Sequence, residues 1–194
     1  MADHVVVVAS GETERRSLPH LVSHLRKQGT SVDDVRIPPR NKALDVDVAE
    51  KIIKSIWYEN LGEEPDKIVL LVDVDRKSPD QALRPMREEL ARRLPNEIEM
   101  KMQYAHAQRH LEAWYFADGG NLRSYLKRDL GRIDDSRPDE IENPKLHLRN
   151  ILDQVYTARV SEEIARVLDA ENISRRSPSF RGFLEALLNG VARA

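Results

Sequence analysis

Two short, continuous apolar runs restrict the fold more than any other feature of this sequence. Val5 to Ala9 forms one run, and Ile68 to Val72 forms the other. Unbroken runs of this length are typical of strands that are buried on both faces of a parallel sheet. Between these runs, apolar residues recur at the spacing of a helix. Two further strands are predicted near 32–37 and 98–104. The alternation predicts an α/β fold with a mainly parallel four-stranded sheet flanked by helices.

The second half of the chain contains no convincing strand. Helical patterns are predicted at 111–126, 145–156 and 161–170, and a last helix begins after Ser177 and carries an apolar stripe from Phe180 to Val191. The acidic stretch 129–143, with its glycine and prolines, is predicted to be a surface loop. We therefore predict a single domain over 1–194, with an α/β core at 1–107 and a helical extension at 108–194.

The amino-acid composition excludes several kinds of functional site. The chain of 194 residues has no cysteine, which excludes disulfides, thiolate metal sites and cysteine nucleophiles. It has 31 basic and 33 acidic residues, so any surface that binds phosphate must be local. No apolar run is long enough to span a membrane, and the first residues do not resemble a signal peptide. We expect a cytoplasmic protein that does not bind membranes.

The strongest candidate site follows the second apolar run, where Asp73 and Asp75 stand two residues apart. Ligands of α/β proteins bind beyond the carboxyl ends of the strands. Two carboxylates held together repel each other, and Mg²⁺ or Mn²⁺ relieves that repulsion. The pair predicts a metal site, although capping of the next helix would explain the same residues.

Other acidic candidates lie at two helix starts. Glu12 and Glu14 follow Gly11 after the first strand, where they either reach the same site or only stabilise the helix dipole. Glu112 precedes a run of aromatic residues that we interpret as core. His106 and His110 have helical spacing, but no third ligand accompanies them, so we interpret them as surface or boundary residues.

Basic side chains near helix starts offer a phosphate-binding surface. Lys145 follows Asn143-Pro144, and a lysine at a helix N-terminus suits a phosphate. The other members are Arg149, Arg175, Arg176 and Arg181. Taken singly, each is also explained as part of a solvated charged face.

These motifs, in this order, resemble the Toprim proteins, and most of all the Toprim-like domain-of-unknown-function family 4276, relatives of the overcoming-lysogenization-defect (OLD) nucleases. The segments that carry the resemblance are Ala9-Ser10-Gly11-Glu12-Thr13-Glu14, Leu71-Val72-Asp73-Val74-Asp75, Glu112-Ala113-Trp114 with Ala117-Asp118, Pro144-Lys145, and Ser179-Phe180-Arg181.

The resemblance implies a metal-dependent phosphodiester chemistry. It implies Mg²⁺ or Mn²⁺ ligands at Asp73 and Asp75, a further acid at Glu112 and a phosphate contact at Lys145. Ser10 occupies the position where the family has a glutamate. Either Glu12 or Glu14 replaces that acid, or Glu112 completes the site, or the site is inactive.

The resemblance therefore implies a nuclease that acts on DNA or RNA, in a prokaryotic defence against foreign DNA together with a separate ATPase subunit. This chain has no phosphate-binding loop of the Gly-x-x-x-x-Gly-Lys type with which to hydrolyse ATP itself. Two alternatives stay open: a catalytically degenerate Toprim protein that binds nucleic acid or the ATPase, and a small-molecule phosphatase that uses Asp73 as nucleophile. The oligomeric state is also left open.

Overall fold

The computed structural model describes residues 3–75, 78–130 and 134–189. Four parallel strands form one sheet in the spatial order β2-β1-β3-β4. The strands are β1 (Asp3–Val8), β2 (Thr30–Arg36), β3 (Lys67–Val74) and β4 (Met102–Gln108). The predicted α/β fold with a parallel sheet flanked by helices is thus confirmed.

The helices occupy the connections and the second half of the chain. They are α1 (Glu12–Leu21), α2 (Val46–Glu59), α3 (Pro79–Arg93), α4 (Asn96–Glu99), α5 (Glu112–Ala117), α6 (Gly119–Leu126), α7 (Pro144–Ile151), α8 (Ala158–Val167), α9 (Ala170–Arg176) and α10 (Pro178–Leu188). Short 3₁₀ segments lie at Ser23–Gln28 and Pro138–Glu140. No helix in the described ranges is both long and apolar enough to cross a lipid bilayer.

The continuous valine run of β1 is explained by burial on both faces. Val5 and Val7 belong to a first core, whereas Val6 and Val8 belong to a second core on the opposite face. Helices α2 and α3 cover the second core. The first core contains α1 and most of the chain beyond β4, so both predicted segments, 1–107 and 108–194, contribute to it. The division of the chain into those two segments stays a prediction.

An aromatic cluster anchors the helical half to the sheet. Trp114 of α5 stacks on Phe183 of α10 with ring centroids 5.5 Å apart, and Phe180 meets the indole edge-on at 5.0 Å. The indole Nε1 donates to Ser179 Oγ at 2.8 Å, which satisfies its buried N–H. The interpretation of the aromatic run as core is correct, since all three of its rings are fully buried.

Several local predictions need correction. The strand predicted from Ile98 begins only at Met102, because Asn96–Glu99 form the short helix α4. The strand β3 continues through Asp73 to Val74, two residues beyond its apolar run. The last helix begins, as predicted, with Ser177 as N-cap and Pro178 in its first turn. Val191, the predicted end of its stripe, lies outside the described residues.

Replacing Phe183 by alanine should lower the free energy of unfolding by about 3–5 kcal/mol, because the ring is fully buried against Trp114. Chemical denaturation would measure the loss. Val155→Ala is the control, since Val155 is 81% exposed and should change stability by less than about 0.5 kcal/mol. Equal losses in the two variants would show that the aromatic cluster is not part of the stabilising core.

Candidate active site

The carboxyl ends of three neighbouring strands form one edge that carries most of the predicted acids. The strand β1 leads into Gly11 and α1, β3 ends at Asp73-Val74, and β4 leads into His110 and α5. Because the strands are parallel, residues far apart in sequence meet at this edge. We call the group formed by Glu14, Asp73, His110, Glu112 and Lys145 the acidic edge.

Glu14 is the buried acid of this group. It lies in the first turn of α1 and is only 8% exposed. Desolvation raises the pKa of its carboxyl from 4.5 to about 7, and the nearby charge of Asp73 adds to the rise, with a smaller effect from Glu112. Its own backbone N–H and the charge of Lys145 oppose the shift. Glu14 is therefore half-protonated near neutral pH.

Gly11 allows Glu14 to lie close to the turn after β1. A Cβ at position 11 would lie 3.3 Å from Glu14 Oε2, which is closer than most side chains accept. The φ of Gly11 is −168°, which is ordinary extended backbone, so the requirement for glycine is one of space. Gly11 therefore leaves room for the Glu14 carboxyl beside the turn after β1.

Asp73 is held by a histidine that sequence reasoning set aside. Its Oδ2 lies 3.3 Å from His110 Nδ1, and both side chains are partly exposed. This hydrogen bond raises the pKa of His110, with further contributions from the charges of Asp73 and Glu112, against desolvation and Lys145. The helical spacing of His106 and His110 was misleading, because His106 lies within β4 and His110 follows that strand.

Glu112 is almost completely buried, at 1% exposure, and is held from two sides. Tyr156 donates a hydrogen bond to its Oε1 at 2.8 Å, and Lys145 Nζ lies 3.7 Å from the same oxygen. Both partners come from the helical half of the chain. No sequence pattern singled out Tyr156, because it lies 44 residues beyond Glu112.

The support of Glu112 extends into a buried network of hydroxyl groups. The Tyr156 hydroxyl lies 3.1 Å from Ser161 Oγ on α8. Ser161 Oγ in turn lies 2.5 Å from the Tyr115 hydroxyl and 2.9 Å from Ser17 Oγ on α1. Burial raises the pKa of both tyrosines, so they stay neutral. This network ties together the helices that carry Glu14 and Glu112.

Of the remaining acids, Glu12 and Asp118 are engaged by other partners. Glu12 is partly exposed and accepts hydrogen bonds from Arg15 at 2.8 Å and Arg16 at 2.9 Å, which lower the pKa of its carboxyl. Asp75 is exposed just beyond β3. Asp118 is buried and accepts bonds from the backbone N–H of Asp169 at 2.7 Å and from two asparagines, so it joins α6 to α9.

The four predicted arginines do not form one cluster with Lys145. Arg149 is exposed on α7. Arg175 pairs with Glu171, and Arg181 donates to the Ser174 carbonyl at 3.0 Å. These two line a hollow of about 550 Å³ beside α9. Arg176 instead lies 3.7 Å from Asp135.

The donor chemistry of the acidic edge suits a hard divalent cation, since it offers carboxylate oxygens from three segments. Within the described ranges, no three carboxylate or imidazole side chains already lie close enough to hold one ion. Asp73 and Asp75, the predicted ligands, are the more accessible carboxylates, whereas Glu14 and Glu112 are buried. Burial is the largest cause of the elevated pKa of Glu14, and the charge of Asp73 adds to it.

Comparisons with known proteins agree with this architecture. The structure is similar to the C-terminal region of the Burkholderia pseudomallei OLD protein, with a TM-score of 0.58 and 18% identity over 99% of this chain and all of that one. It is also similar to the C-terminal region of the Xanthomonas campestris pv. campestris OLD protein phased with mercury, with a TM-score of 0.53 and 16% identity over 97% and 96% of the two chains.

At these identities the likeness establishes the fold alone: the protein folds like the C-terminal regions of OLD proteins. The family itself follows from the sequence model of the domain of unknown function DUF4276, which matches residues 10–188. The chain belongs to this family. No curated protein matches it.

The raised pKa of Glu14 makes the fold less stable as pH rises. A carboxyl with a folded-state pKa of about 7 against 4.5 holds its proton when the unfolded chain has lost it, so stability should fall between these two pH values. The loss approaches roughly 3 kcal/mol. Glu14→Gln should lose most of this decline in urea unfolding, and the remainder should come from other groups such as His110, whose pKa is also raised. Glu12→Gln, its more exposed neighbour, should retain the wild-type decline, and a wild-type curve without decline would contradict the assignment.

Tyr156→Phe should destabilise the fold by about 1–3 kcal/mol, because a nearly buried carboxylate loses its closest hydrogen-bond donor. Tyr125→Phe is the matched control. Tyr125 also donates to a glutamate, Glu163 at 3.2 Å, but is only partly buried, so its loss should be smaller. Thermal unfolding of both variants measures the difference. Equal effects would mean that Tyr156 has no special role beside Glu112.

Proposed function

We propose that this protein is a metal-dependent nuclease that hydrolyses nucleic-acid phosphodiesters at the acidic edge. The observation that carries the proposal is the placement of Glu14, Asp73 and Glu112 after three neighbouring parallel strands, with Glu14 and Glu112 buried and Asp73 in contact with His110. Folding brings these acids together against their mutual repulsion, which is the usual arrangement at sites that need concentrated negative charge.

In this proposal Asp73, Asp75 and Glu14 hold Mg²⁺ or Mn²⁺. When bound, the cation neutralises charge on the phosphate oxygens and activates the attacking water. Glu12 is the weaker choice for the missing family glutamate, because its carboxylate is already paired with two arginines. The contact of Asp73 with His110 fixes the direction of that carboxylate.

Lys145 and His110 supply the complementary positive groups. Lys145 lies beside the carboxylate of Glu112. The hydrogen bond from Tyr156 restricts the movement of that same carboxylate. In this proposal, Lys145 stabilises the negative charge that develops on the phosphate during the reaction. His110, with its pKa raised by Asp73, carries a larger protonated fraction near neutral pH and is suited to donate a proton to the leaving oxygen.

The biological setting remains part of the proposal. The similarity to OLD C-terminal regions and the membership of DUF4276 support the fold on which the proposal is built. We further propose, as the resemblance to the Toprim proteins implies, that the nuclease acts in the cytoplasm, in a prokaryotic defence system, with a separate ATPase subunit. Nucleic acid is the proposed substrate. Arg149, Arg175, Arg176 and Arg181 would contribute to nucleic-acid binding as a dispersed surface, since only Arg175 and Arg181 line a common hollow.

A second candidate is a catalytically degenerate binding protein. Ser10 favours it, because a hydroxyl stands where the family has a glutamate. The absence of a preformed three-ligand cluster in the described residues also favours it. In this case the protein binds nucleic acid or the ATPase but does not cleave phosphodiesters.

Incubation with plasmid and with single-stranded DNA or RNA should give cleavage that requires Mg²⁺ or Mn²⁺. Asp73→Asn should lower the rate at least a hundredfold, because it removes an accessible carboxylate of the acidic edge. Asp47→Asn should leave the rate unchanged, since that exposed carboxylate lies on α2 and pairs with Arg93. Gel electrophoresis of the products measures both.

The cation can be tested apart from turnover. Mn²⁺ should raise the melting temperature of the wild type, by the equivalent of about 2.7 kcal/mol at a hundred times its dissociation constant. The increase should be lost in Asp73→Asn. Stabilisation without cleavage would support the degenerate candidate, and cleavage that survives Asp73→Asn would remove the nuclease assignment. Release of phosphate from small esters through a trapped aspartyl phosphate would instead indicate a phosphatase.

A further inference from the structure

The buried hydroxyl network behind the acidic edge ends on the carboxylate of Glu112. Its centre is Ser161 Oγ, which contacts three other hydroxyl groups, those of Ser17 at 2.9 Å, Tyr115 at 2.5 Å and Tyr156 at 3.1 Å. The Tyr156 hydroxyl then lies 2.8 Å from Glu112 Oε1. Ser17, Tyr115 and Ser161 are fully buried, so their hydroxyl groups depend on one another for hydrogen bonds.

The number of protons fixes the direction of the hydrogen bonds in this network. Each hydroxyl donates one hydrogen bond and accepts up to two, whereas a carboxylate only accepts. Because the proton of Tyr156 points to Glu112, the contact between Tyr156 and Ser161 must use the proton of Ser161. Ser161 Oγ then accepts from Tyr115 and Ser17. Every contact in the network is satisfied, and the bonds run toward Glu112.

Distance and charge favour this direction over the reverse one. The contact of the Tyr156 hydroxyl with Glu112 is shorter than its contact with Ser161. The reverse direction requires a protonated Glu112 that donates to Tyr156, and it gives up the ion pair with Lys145 Nζ, 3.7 Å from the same Glu112 oxygen. A hydrogen bond to an ionised acceptor is also about twice as strong as one between neutral groups.

We infer that Ser161 is a positioning residue for the proposed cleavage: by donating its proton to Tyr156, it lets Tyr156 hold Glu112 in the orientation that pairs with Lys145. Among the hydrogen bonds of the described residues, Ser161 reaches Glu112 only through Tyr156. Successive hydrogen bonds polarise one another, so the effect on Glu112 should decrease from Tyr156 to Ser161 and then to Tyr115. The inference rests on the proposed function for the role of Lys145.

The first test measures kcat for cleavage, per folded molecule, in Mg²⁺. Tyr156→Phe should lower kcat about 10–100-fold, the range typical of partners that orient active-site groups. Ser161→Ala should lower it by less, because Tyr156 keeps its own proton. In Lys145→Met protein both losses should disappear, since the group that the network positions is gone. Losses of the same size in the Lys145→Met protein would show a merely structural role and overturn the inference.

Ser177→Ala is the control for the loss of a buried serine. Ser177 is also fully buried, but its hydroxyl donates to Asp139 at 2.7 Å, outside this network. The variant should lower the stability of the fold and leave kcat per folded molecule unchanged, with or without Lys145.

The second test needs no cleavage. Urea unfolding of Ser161→Ala, Glu112→Gln and the double variant should give a double loss of stability smaller than the sum of the single losses, because the network couples two side chains that do not bond directly. In Tyr156→Phe protein the two losses should add, as should those of Ser177→Ala and Glu112→Gln. Tyr115→Phe keeps its ring, and replaces Ser161→Ala if that variant does not fold.

The two proposals fail in different ways. A wild type that does not cleave in Mg²⁺ or Mn²⁺ ends the nuclease proposal, whereas non-additive losses in that protein still support Ser161 as a positioning residue for Glu112. Additive losses for Ser161→Ala and Glu112→Gln overturn the inference, even in a wild type that cleaves.

Discussion

Repulsion among carboxylates at one edge of the sheet is the constraint on which the rest of the site depends. Glu14 is buried beside the charges of Asp73 and Glu112, and the rise of its pKa to about 7 reflects both burial and those charges. An arrangement of this kind opposes folding. The protein still folds because burial of the two apolar cores on either side of the sheet stabilises it by far more free energy than the repulsion among the acids costs.

The helical half of the chain acts as the support for these acids. Ser161 of α8 connects, through hydroxyl groups, to Ser17 beneath Glu14 and to Tyr156 beside Glu112. Lys145 approaches Glu112 from α7. The first core and its aromatic cluster fix these helices against the sheet. Burial of the aromatic cluster therefore helps to position the charged groups of the acidic edge, since Trp114 and Glu112 share the helix α5.

The sequence predicted what depends on local patterns and missed what depends on distant contacts. The buried apolar runs indicated β1 and β3, and the position of Asp73 at the end of β3 indicated it as a candidate site residue. Alternation from Ile98 to Tyr104 was read as one strand, although its first part is the helix α4, because a few alternating residues also fit a single helical turn. Tyr156 and His110 act across 44 and 37 residues, and no spacing rule reports such pairs.

Under the proposed function, Glu14 supplies the acid that is missing at Ser10. Glu14 lies one helical turn further on, where the charge of Asp73 acts on it and Gly11 leaves room for its carboxyl. A carboxyl with a pKa of about 7 holds a proton about half the time in neutral solution. Under the proposed function, a cation bound at Asp73 competes with that proton, so binding releases it. The proton thus relieves the repulsion when no cation is bound, and this lets the acids remain buried in the folded protein.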